Sequence, residues 1–337
     1  MRLAFAGFRH DHVLGLYKTA REHRDVQIVA ACEPAPAARE RLARQGQVQI
    51  THTDHAEMLR SVECDAVAVG DCFGRRGELL IAALSTGRHV IADKPICTRL
   101  SELEQIASLA KAKHLCVGCQ LDLRSAACFR TMRRLVREGA IGEVHTVTFT
   151  GQHPLLLGRR PEWYFEEGMH GGTINDIAIH GVDAVGWLTG RRIVEVVAAR
   201  AWNARLKQHP AFQDAAQLML RLDNGGGVIG DVSYLAPDGC GYTAPQYWRI
   251  TIHGDAGAAE TSLAEGAVLL AKTDDKQFRR ISLDPEKPAA YFDAFLAEIA
   301  GHTDNLDLTT AEVLQSARIA LTAQLAADEG NPKVSVT

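Results

Sequence analysis

Three side chains in two distant segments carry groups that can move a proton. Lys94 stands before Pro95 at the end of an apolar run, and Asp176 precedes His180 by four residues. Residues four apart in a helix share a face, so we expect Asp176 and His180 to point the same way. Histidine exchanges protons near neutral pH, and a lysine can accept a proton or stabilise a developing alkoxide. These residue types suit removal of a proton from a hydroxyl while a hydride moves to another group.

The first 121 residues alternate apolar runs with helical segments. Strands are predicted at 3–7, 26–33, 48–51, 66–70, 89–93 and 115–120. A continuous apolar run without alternation, as at 66–70, is typical of a parallel strand buried on both faces. Strands separated by helices predict a doubly wound parallel sheet. We therefore predict an α/β protein with a Rossmann-type domain at residues 1–121.

The second domain, residues 122–337, has a different pattern. Longer runs that alternate apolar and polar residues lie at 143–151, 193–202, 216–222, 227–235 and 247–253. Alternation predicts a large, open, mostly antiparallel sheet in an α+β domain. The C-terminal helices are expected at 289–300 and 310–327, where they can pack back on the first domain. An uncovered sheet face favours a homodimer or homotetramer.

The composition narrows the class of protein. The 337 residues carry a formal net charge of −4 with no long run of one sign, which argues against nucleic acid as a partner. No apolar run is long enough to span a membrane, and no signal peptide is evident. Most of the eight cysteines lie in apolar, strand-like runs and are interpreted as buried thiols, so a reduced, cytoplasmic protein is expected. Cys116 and Cys119 form a CxxC, but in a strand they face opposite sides, so we predict no metal site.

A dinucleotide fingerprint is partly preserved after the first predicted strand. Gly7 occupies the first position of G-x-G-x-x-G, whereas Arg9 and His12 replace the second and third glycines. Arg9 would have to swing aside, where it could grip a phosphate, and His12 is expected to push helix and strand apart. Glu33, at the end of the second strand, would bind the ribose hydroxyls and repel a 2′-phosphate. This favours NAD, leaves NADP possible, and leaves open a domain whose pocket is lost.

The sequence also resembles a known family. Residues 87–95 read Gly-Arg-His-Val-Ile-Ala-Asp-Lys-Pro, similar to A-G-K-H-V-x-x-E-K-P, and residues 171–183 are similar to G-G-G-x-x-x-D-x-G-x-H-x-x-D. Both patterns, in this order, are typical of the Gfo/Idh/MocA family, and the resemblance spans the chain. It implies an N-terminal nicotinamide-nucleotide domain and a C-terminal sheet domain. It further implies redox chemistry on sugars, polyols and related carbonyls.

The resemblance assigns roles to individual residues. Lys94 matches the catalytic lysine, Asp176 the active-site aspartate and His180 the active-site histidine, while Asp93 replaces a glutamate. Residues 71–76 stand where the family has T-P-N-x-x-H, which indicates a remodelled cofactor pocket. The predicted cofactor contacts are Gly7, Phe8, Arg9, His10, His12, Glu33, Gly70, Asp71, Arg76, Asp93, Lys94 and Pro95. The Lys94–Pro95 peptide bond is expected to be cis.

A carbohydrate-like substrate is expected to meet the catalytic group and several neighbours. The predicted substrate contacts are Lys94, Arg124, His153, Trp163, Tyr164, Asp176 and His180. For His153, Trp163 and Tyr164, plain packing is an equal alternative. The leading interpretation is an NAD-dependent dehydrogenase or reductase acting on CH–OH groups of a sugar, polyol or sugar acid. The alternatives are a redox-neutral NAD-dependent glycosidase and a non-catalytic nucleotide-binding regulator.

Overall fold

The computed structural model describes residues 1–330 and 333–336, which form two compact units. The first unit comprises Met1–Gln120, Pro161–Gly171 and Tyr291–Leu314; the second comprises Leu121–Arg160, Gly172–Ala290 and the described residues from Gln315 onward. Two later segments of the chain thus belong to the unit that contains the N-terminus. The domain boundary between residues 121 and 122 stays a prediction.

The first unit contains the predicted parallel sheet. Its strands are β1 (Arg2–Ala6), β2 (Gln27–Cys32), β3 (Ala66–Val69), β4 (His89–Asp93) and β5 (Val117–Gln120). Over the described residues the sheet has five strands in the order β2-β1-β3-β4-β5, all parallel. The strand predicted at 48–51 is wrong: Thr51 hydrogen-bonds to Ala31 of β2, and an isolated bridge joins Cys32 to His52, but the segment does not continue as a strand. The doubly wound architecture is confirmed.

The first five α-helices lie between these strands, and further helices follow along the chain. They are α1 (His12–Glu22), α2 (Pro36–Gln45), α3 (His55–Ser61), α4 (Phe73–Ser85) and α5 (Leu100–Lys113), followed by α6 (Ala127–Arg137), α7 (Ile179–Thr189), α8 (Ala290–Ile299) and α9 (Thr310–Glu329). Within the described residues, no helix is both long and apolar enough to cross a membrane.

The turns after β1, β3 and β4 lie side by side at the carboxyl edge of the parallel sheet. Gly7, which follows β1, has φ +82°, and a Cβ built on it would lie 2.6 Å from the Cβ of Asp71, just after β3. An L side chain would therefore be strained and would collide with the neighbouring turn. Glycine at this position allows the two turns to approach at the edge where such folds bind ligands.

The second unit contains the mostly antiparallel sheet. Its strands are β6 (Val144–Pro154), β7 (Ile193–Trp202), β8 (Ala215–Leu222), β9 (Gly227–Ala236), β10 (Arg249–Gly254), β11 (Gly257–Ser262), β12 (Ala267–Lys272), β13 (Arg279–Ile281) and β14 (Val334–Ser335). The described sheet has nine strands in the order β13-β12-β11-β10-β6-β9-β8-β7-β14. The β6 and β9 strands pair in parallel, and the remaining described pairs are antiparallel.

The helical segment that carries Asp176 and His180 packs on this sheet. It begins as a π-helix over Ile174–Ala178 and continues as α7, a change of pitch that the four-residue spacing did not predict. Local π-helical turns widen a helix and are common at functional positions. Gly181, the residue after His180, lies so close to Phe149 of β6 that a Cβ would come within 2.4 Å of its ring.

Two glycines of α7 allow a matched test of this close packing. Gly181→Ala should destabilise the protein by about 1–3 kcal/mol, the usual result of overpacking. Gly186→Ala adds the same methyl group where the nearest atom is 3.8 Å away, and should stabilise it by about 0.5–1 kcal/mol, since alanine favours helix. Urea unfolding of both variants measures this. Equal effects of one sign would contradict the packing argument.

Candidate active site

Glu33 braces the turn that follows β1. The amide of Phe8 donates to Glu33 Oε2 at 2.6 Å, and the amide of Ala35 donates to Oε1 at 2.8 Å. Glu33 has no exposed surface, and this burial raises the pKa of its carboxyl group. Each carboxylate oxygen has more than one lone pair, so bracing the turn leaves capacity for a further donor.

Arg9 is drawn sideways into an ion pair with Asp71. The Arg9 Nε donates to Asp71 Oδ1, which also accepts the amide of Cys72 at 2.7 Å. The Trp163 indole donates to the carbonyl of Arg9 at 3.2 Å. Asp71 is buried, whereas about a quarter of the Arg9 side chain, 26%, is exposed. The guanidinium is thus turned aside at the position where the fingerprint has its second glycine.

His12 does not separate α1 from the sheet, so that expectation is wrong. Its side chain is 51% exposed and its Nδ1 lies 3.4 Å from Asp93 Oδ1, so the ring is not packed between α1 and the sheet. The close approach is made one residue later: a Cβ on Gly70 would lie 2.2 Å from the Cβ of Val13. A glycine on the strand side therefore provides the space that a glycine on the helix side usually provides.

The turn after β4 contains Lys94 and rests on a buried ion pair. Arg76 Nη2 lies 2.8 Å from Asp93 Oδ2, and neither side chain has any exposed surface. Burial opposes a charge on Asp93, but the Arg76 guanidinium holds the pKa of this carboxyl well below its ordinary value. Lys94 is 5% exposed, and its Nζ lies 5.8 Å from the centre of the Phe73 ring. The Lys94–Pro95 peptide bond is cis, as expected.

His10 links this ion pair to Tyr164. Its Nδ1 contacts Asp93 Oδ2, and its Nε2 lies 3.1 Å from the Tyr164 hydroxyl. Because burial lowers the pKa of His10 to about 3, the ring is neutral at ordinary pH. We assign the proton to Nδ1, which donates to Asp93, so that the Tyr164 hydroxyl donates to Nε2. Tyr164 and Trp163 also pack edge-on against Phe73, at 5.6 and 4.9 Å between ring centres.

One cluster in the described part of the chain has metal-ligand geometry, although no metal site was predicted. His10, His12 and Asp93 each offer one ligand atom, and these atoms lie within 4.8 Å of one another. The Arg76 guanidinium already contacts the carboxylate of Asp93 and lies 3.2 Å from His10 Nδ1. A cation would meet this fixed positive charge at close range, which disfavours metal binding.

In the second unit, Asp176 and His180 have aromatic neighbours. The hydroxyl of Tyr234 on β9 donates to Asp176 Oδ2, and both residues are buried. The His180 ring lies 5.1 Å from the ring of Trp248. The Nδ1 of His153 donates to the carbonyl of Gly151 at 3.0 Å. Its ring is surrounded by four aromatic rings, those of Tyr234, Tyr242, Tyr247 and Trp248.

Arg124 forms a buried pair with Asp183. Its Nε and Nη2 donate to the two carboxylate oxygens at 2.9 and 2.6 Å, and Ser316 contacts the same carboxylate at 3.2 Å. Both side chains of the pair are at most 3% exposed. A bidentate pair of this kind ties the segment before α6 to α7. It supports a structural role for Arg124 and leaves its substrate contact a prediction.

The predicted site residues therefore form two groups. The predicted cofactor contacts, which include Lys94, lie in the first unit together with Trp163 and Tyr164. The second unit contains Arg124, His153, Asp176 and His180. That Lys94, Asp176 and His180 serve one reaction stays a prediction from the resemblance. Sequence reasoning missed Tyr234 and Trp248. Alternation along β9 marks Tyr234 as inward-facing, but no spacing relates it to Asp176.

The neutral state of His10 has a measurable consequence for stability. Its pKa is about 3 when folded and about 6.5 when unfolded. As pH falls, the unfolded chain therefore takes up the proton first. Protonation of His10 does not lower the free energy of unfolding above about pH 6.5, but it lowers it progressively as pH falls towards 3. His10→Gln should flatten this decline by up to about 1.4 kcal/mol per pH unit.

Chemical unfolding from pH 7 to 4 measures this slope, with His145→Gln as the control at an exposed histidine. Burial also lowers the pKa of His55 and His89. These two residues are unchanged in both variants, so the difference isolates His10. Parallel curves for the wild type and His10→Gln would contradict the assignment.

Comparison with known proteins finds a family match for each of the two sheet-containing regions of the chain. Residues 5–121 match the profile of the oxidoreductase family with an NAD-binding Rossmann fold, and residues 129–260 match the GFO/IDH/MocA C-terminal domain. The inositol 2-dehydrogenase of Rhizobium meliloti is 26% identical over 315 residues, 92% of this chain and 90% of that protein. The myo-inositol 2-dehydrogenase of Thermotoga maritima is 24% identical over 262 residues, 77% of this chain and 74% of that protein.

A solved structure from Thermotoga maritima has the same fold, with a TM-score of 0.85. It is 25% identical, and the match covers 99% of this chain and 100% of that one. Two profiles of one family follow each other along the chain, in the order of the two sheets. The chain belongs to the Gfo/Idh/MocA family of oxidoreductases and carries that family's NAD-binding Rossmann domain.

Proposed function

We propose that the protein transfers a hydride between a nicotinamide cofactor and a secondary alcohol or carbonyl of a sugar, polyol or sugar acid. The observation that carries the proposal is Lys94, a buried lysine at the carboxyl edge of the same parallel sheet as the turn after β1. Two relatives named as inositol dehydrogenases support a polyhydroxylated substrate. Neighbouring hydroxyls on such a substrate suit a catalytic group in which Lys94 supplies an amine and Asp176 a carboxylate.

The turn after β1 fits a dinucleotide. Gly7 lacks the Cβ that would collide with Asp71, and Glu33 Oε2 accepts a hydrogen bond from the Phe8 amide. We assign the cofactor to this turn, with the glycine backbone beside the phosphates and Glu33 beside the ribose diol. When bound, the nicotinamide supplies the hydride chemistry. The remaining work of the chain is to orient the alcohol and to hold or move its proton.

The proton roles follow from chemistry and position. His180 accepts the hydroxyl proton as general base while Lys94 stabilises the developing alkoxide; alternatively, Lys94 takes the proton itself. Asp176 is held by the Tyr234 hydroxyl, which fixes the carboxylate so that it can orient His180 or accept a second substrate hydroxyl. A carboxylate held by one donor keeps further lone pairs for another.

Replacement of Lys94 tests the proposal most directly. Lys94→Met should lower kcat by about 10²–10⁴-fold, the usual effect of losing a positioned acid–base group. The affinity for NAD should change little, because the lysine acts on the reacting carbinol. Lys18→Met, at an exposed lysine of α1, is the control and should behave as wild type. The assay measures NADH release over a panel of polyols, sugars, sugar acids and glycosides that includes myo-inositol.

His180→Ala and Asp176→Ala extend this test. His180→Ala should slow turnover and change one limb of the pH–rate profile, while Asp176→Ala should raise KM and lower kcat. Near-wild-type kcat per folded molecule of Lys94→Met would sink the mechanism. Turnover of a glycoside without net NADH would instead show a redox-neutral reaction.

The position of Glu33 predicts a preference for NAD over NADP. A carboxylate beside the ribose repels a 2′-phosphate, and Arg9, which could accept that phosphate, is already paired with Asp71. Wild type should bind NAD more tightly in fluorescence titrations, and Glu33→Gln should narrow the difference. Glu40→Gln removes the same charge from an exposed position on α2 and should leave it unchanged. Equal or tighter binding of NADP by the wild type would overturn the role of Glu33.

We also infer a homodimer or homotetramer formed through the outer face of the nine-stranded sheet. Met219 of β8 pairs with Ile229 of β9, and they are 44% and 41% exposed. Adjacent exposed apolar side chains favour contact with a second subunit. Met219→Lys should lower the mass measured by light scattering, and Leu283→Lys, at an exposed leucine outside the strands, should not. A wild-type monomer at micromolar concentration would contradict the inference.

A further inference from the structure

We propose that Arg76 is a positioning residue that holds Lys94 in its reactive place. The proposal rests on the proposed function, in which Lys94 acts on the substrate. Arg76 lies in the first turn of α4, after β3, whereas Lys94 follows β4. The guanidinium has no exposed surface. It therefore acts from inside the protein, on a turn to which it has no sequence connection.

The contacts of Arg76 surround the backbone of the lysine. Its Nη1 donates to the carbonyls of Asp93, Lys94 and Pro95 at 2.9, 2.6 and 3.0 Å. Its Nε donates to the carbonyl of Asp71 at 2.8 Å, which ties the turn after β3 to the turn after β4. One rigid, planar group thus engages three consecutive carbonyls with Lys94 at their centre. A guanidinium can do this because its donors are fixed in a fork.

Charge balance explains why this arginine can be buried. An unpaired charge without solvent is very costly, and Asp93 compensates it at 2.8 Å. The same carboxylate accepts the ring of His10. With its donors directed at the carboxylate and backbone, and with no exposed surface, Arg76 has no group to offer a cofactor. We therefore replace the expected direct contact of Arg76 with the cofactor by a role exerted through the Lys94 turn.

A lysine at position 76 separates the charge from the geometry. Arg76→Lys keeps a positive charge for Asp93, but its ammonium is a point donor that cannot engage both turns. Arg75→Lys is the matched control: it is the same substitution one residue earlier, where the side chain is exposed and pairs with Glu78. Loss of the fork should loosen the turn while the ion pair keeps the protein folded.

The first readout does not depend on any substrate. Acetylation by an N-hydroxysuccinimide ester, followed by peptide mass spectrometry, measures how fast Lys94 and the exposed Lys18 react. Arg76→Lys should raise the rate at Lys94 about tenfold, which corresponds to about 1.4 kcal/mol of local stability. The rate at Lys18 should stay the same. Arg75→Lys should leave both rates at their wild-type values.

The second readout is kinetic. With the polyol that releases the most NADH, Arg76→Lys should lower kcat by about 10–100-fold with little change in KM, as expected for a misplaced reacting group. In a Lys94→Met background, Arg76→Lys should have no further effect on residual turnover. A double-mutant cycle of this kind separates action through Lys94 from a general loss of structure, which would be additive.

The outcomes distinguish the two proposals. Wild-type labelling and kcat in Arg76→Lys, or additive losses in the cycle, would overturn the role of Arg76 even if Lys94 is essential. Full turnover by Lys94→Met would overturn the proposed function, while the labelling would still decide whether Arg76 holds the turn. If Arg76→Lys does not fold, Arg76→Gln combined with Asp93→Asn removes both charges together. Faster labelling of Lys94 is then the supporting result and an unchanged rate the opposing one.

Discussion

The first unit is organised around one buried charge. A guanidinium without exposed surface must find an anion and several acceptors inside the protein, and Arg76 finds them in Asp93 and in the carbonyls of two turns. Because those carbonyls belong to the turns after β3 and β4, a single side chain sets the spacing of both at the carboxyl edge of the sheet. The free energy of burying the charge is offset only while that geometry is kept. Electrostatics and backbone shape are therefore linked at the place where Lys94 lies.

Asp93 also connects the Arg76 ion pair to the turn after β1. Its carboxylate accepts His10, and the other nitrogen of His10 lies beside the hydroxyl of Tyr164. Burial keeps the histidine neutral, so it can relay a hydrogen bond without adding a second positive charge beside Arg76. The segment around Tyr164, distant in sequence, is thereby connected to the turn after β1. Asp93, His10 and Tyr164 thus form a hydrogen-bonded network beside a turn in which the fingerprint normally has three glycines.

Departure from the glycine pattern did not abolish the turn. Gly7, the one glycine retained, is the one whose replacement would collide with Asp71. The close approach of α1 is made by Val13 against Gly70, and His12 lies half-exposed beside Asp93. In the second unit, close packing is again made by a glycine beside a candidate active-site residue, with Gly181 against Phe149 next to His180. Both units thus use a missing side chain to bring backbone segments together.

Periodicity and local motifs determined a large part of this protein in advance. Apolar runs separated by helices determined the parallel sheet, and alternation determined the antiparallel one, because each pattern reflects how many faces of a strand are buried. The prediction of a strand at 48–51 was wrong, because a run of four residues does not show whether a neighbouring strand will form a ladder with it. The motifs around Lys94 and His180 identified the family.

Only the tertiary structure decided which groups meet. No spacing relates Arg76 to the carbonyl of Lys94, Tyr234 to Asp176, or His10 to Tyr164, because these contacts join residues from separate elements. The resemblance placed Arg76 among the cofactor contacts, because residues 71–76 stand where the family has T-P-N-x-x-H. Its burial depended on Asp93 being near enough to balance the charge. That distance is a property of the folded sheet, and it is not encoded in any local pattern of residues.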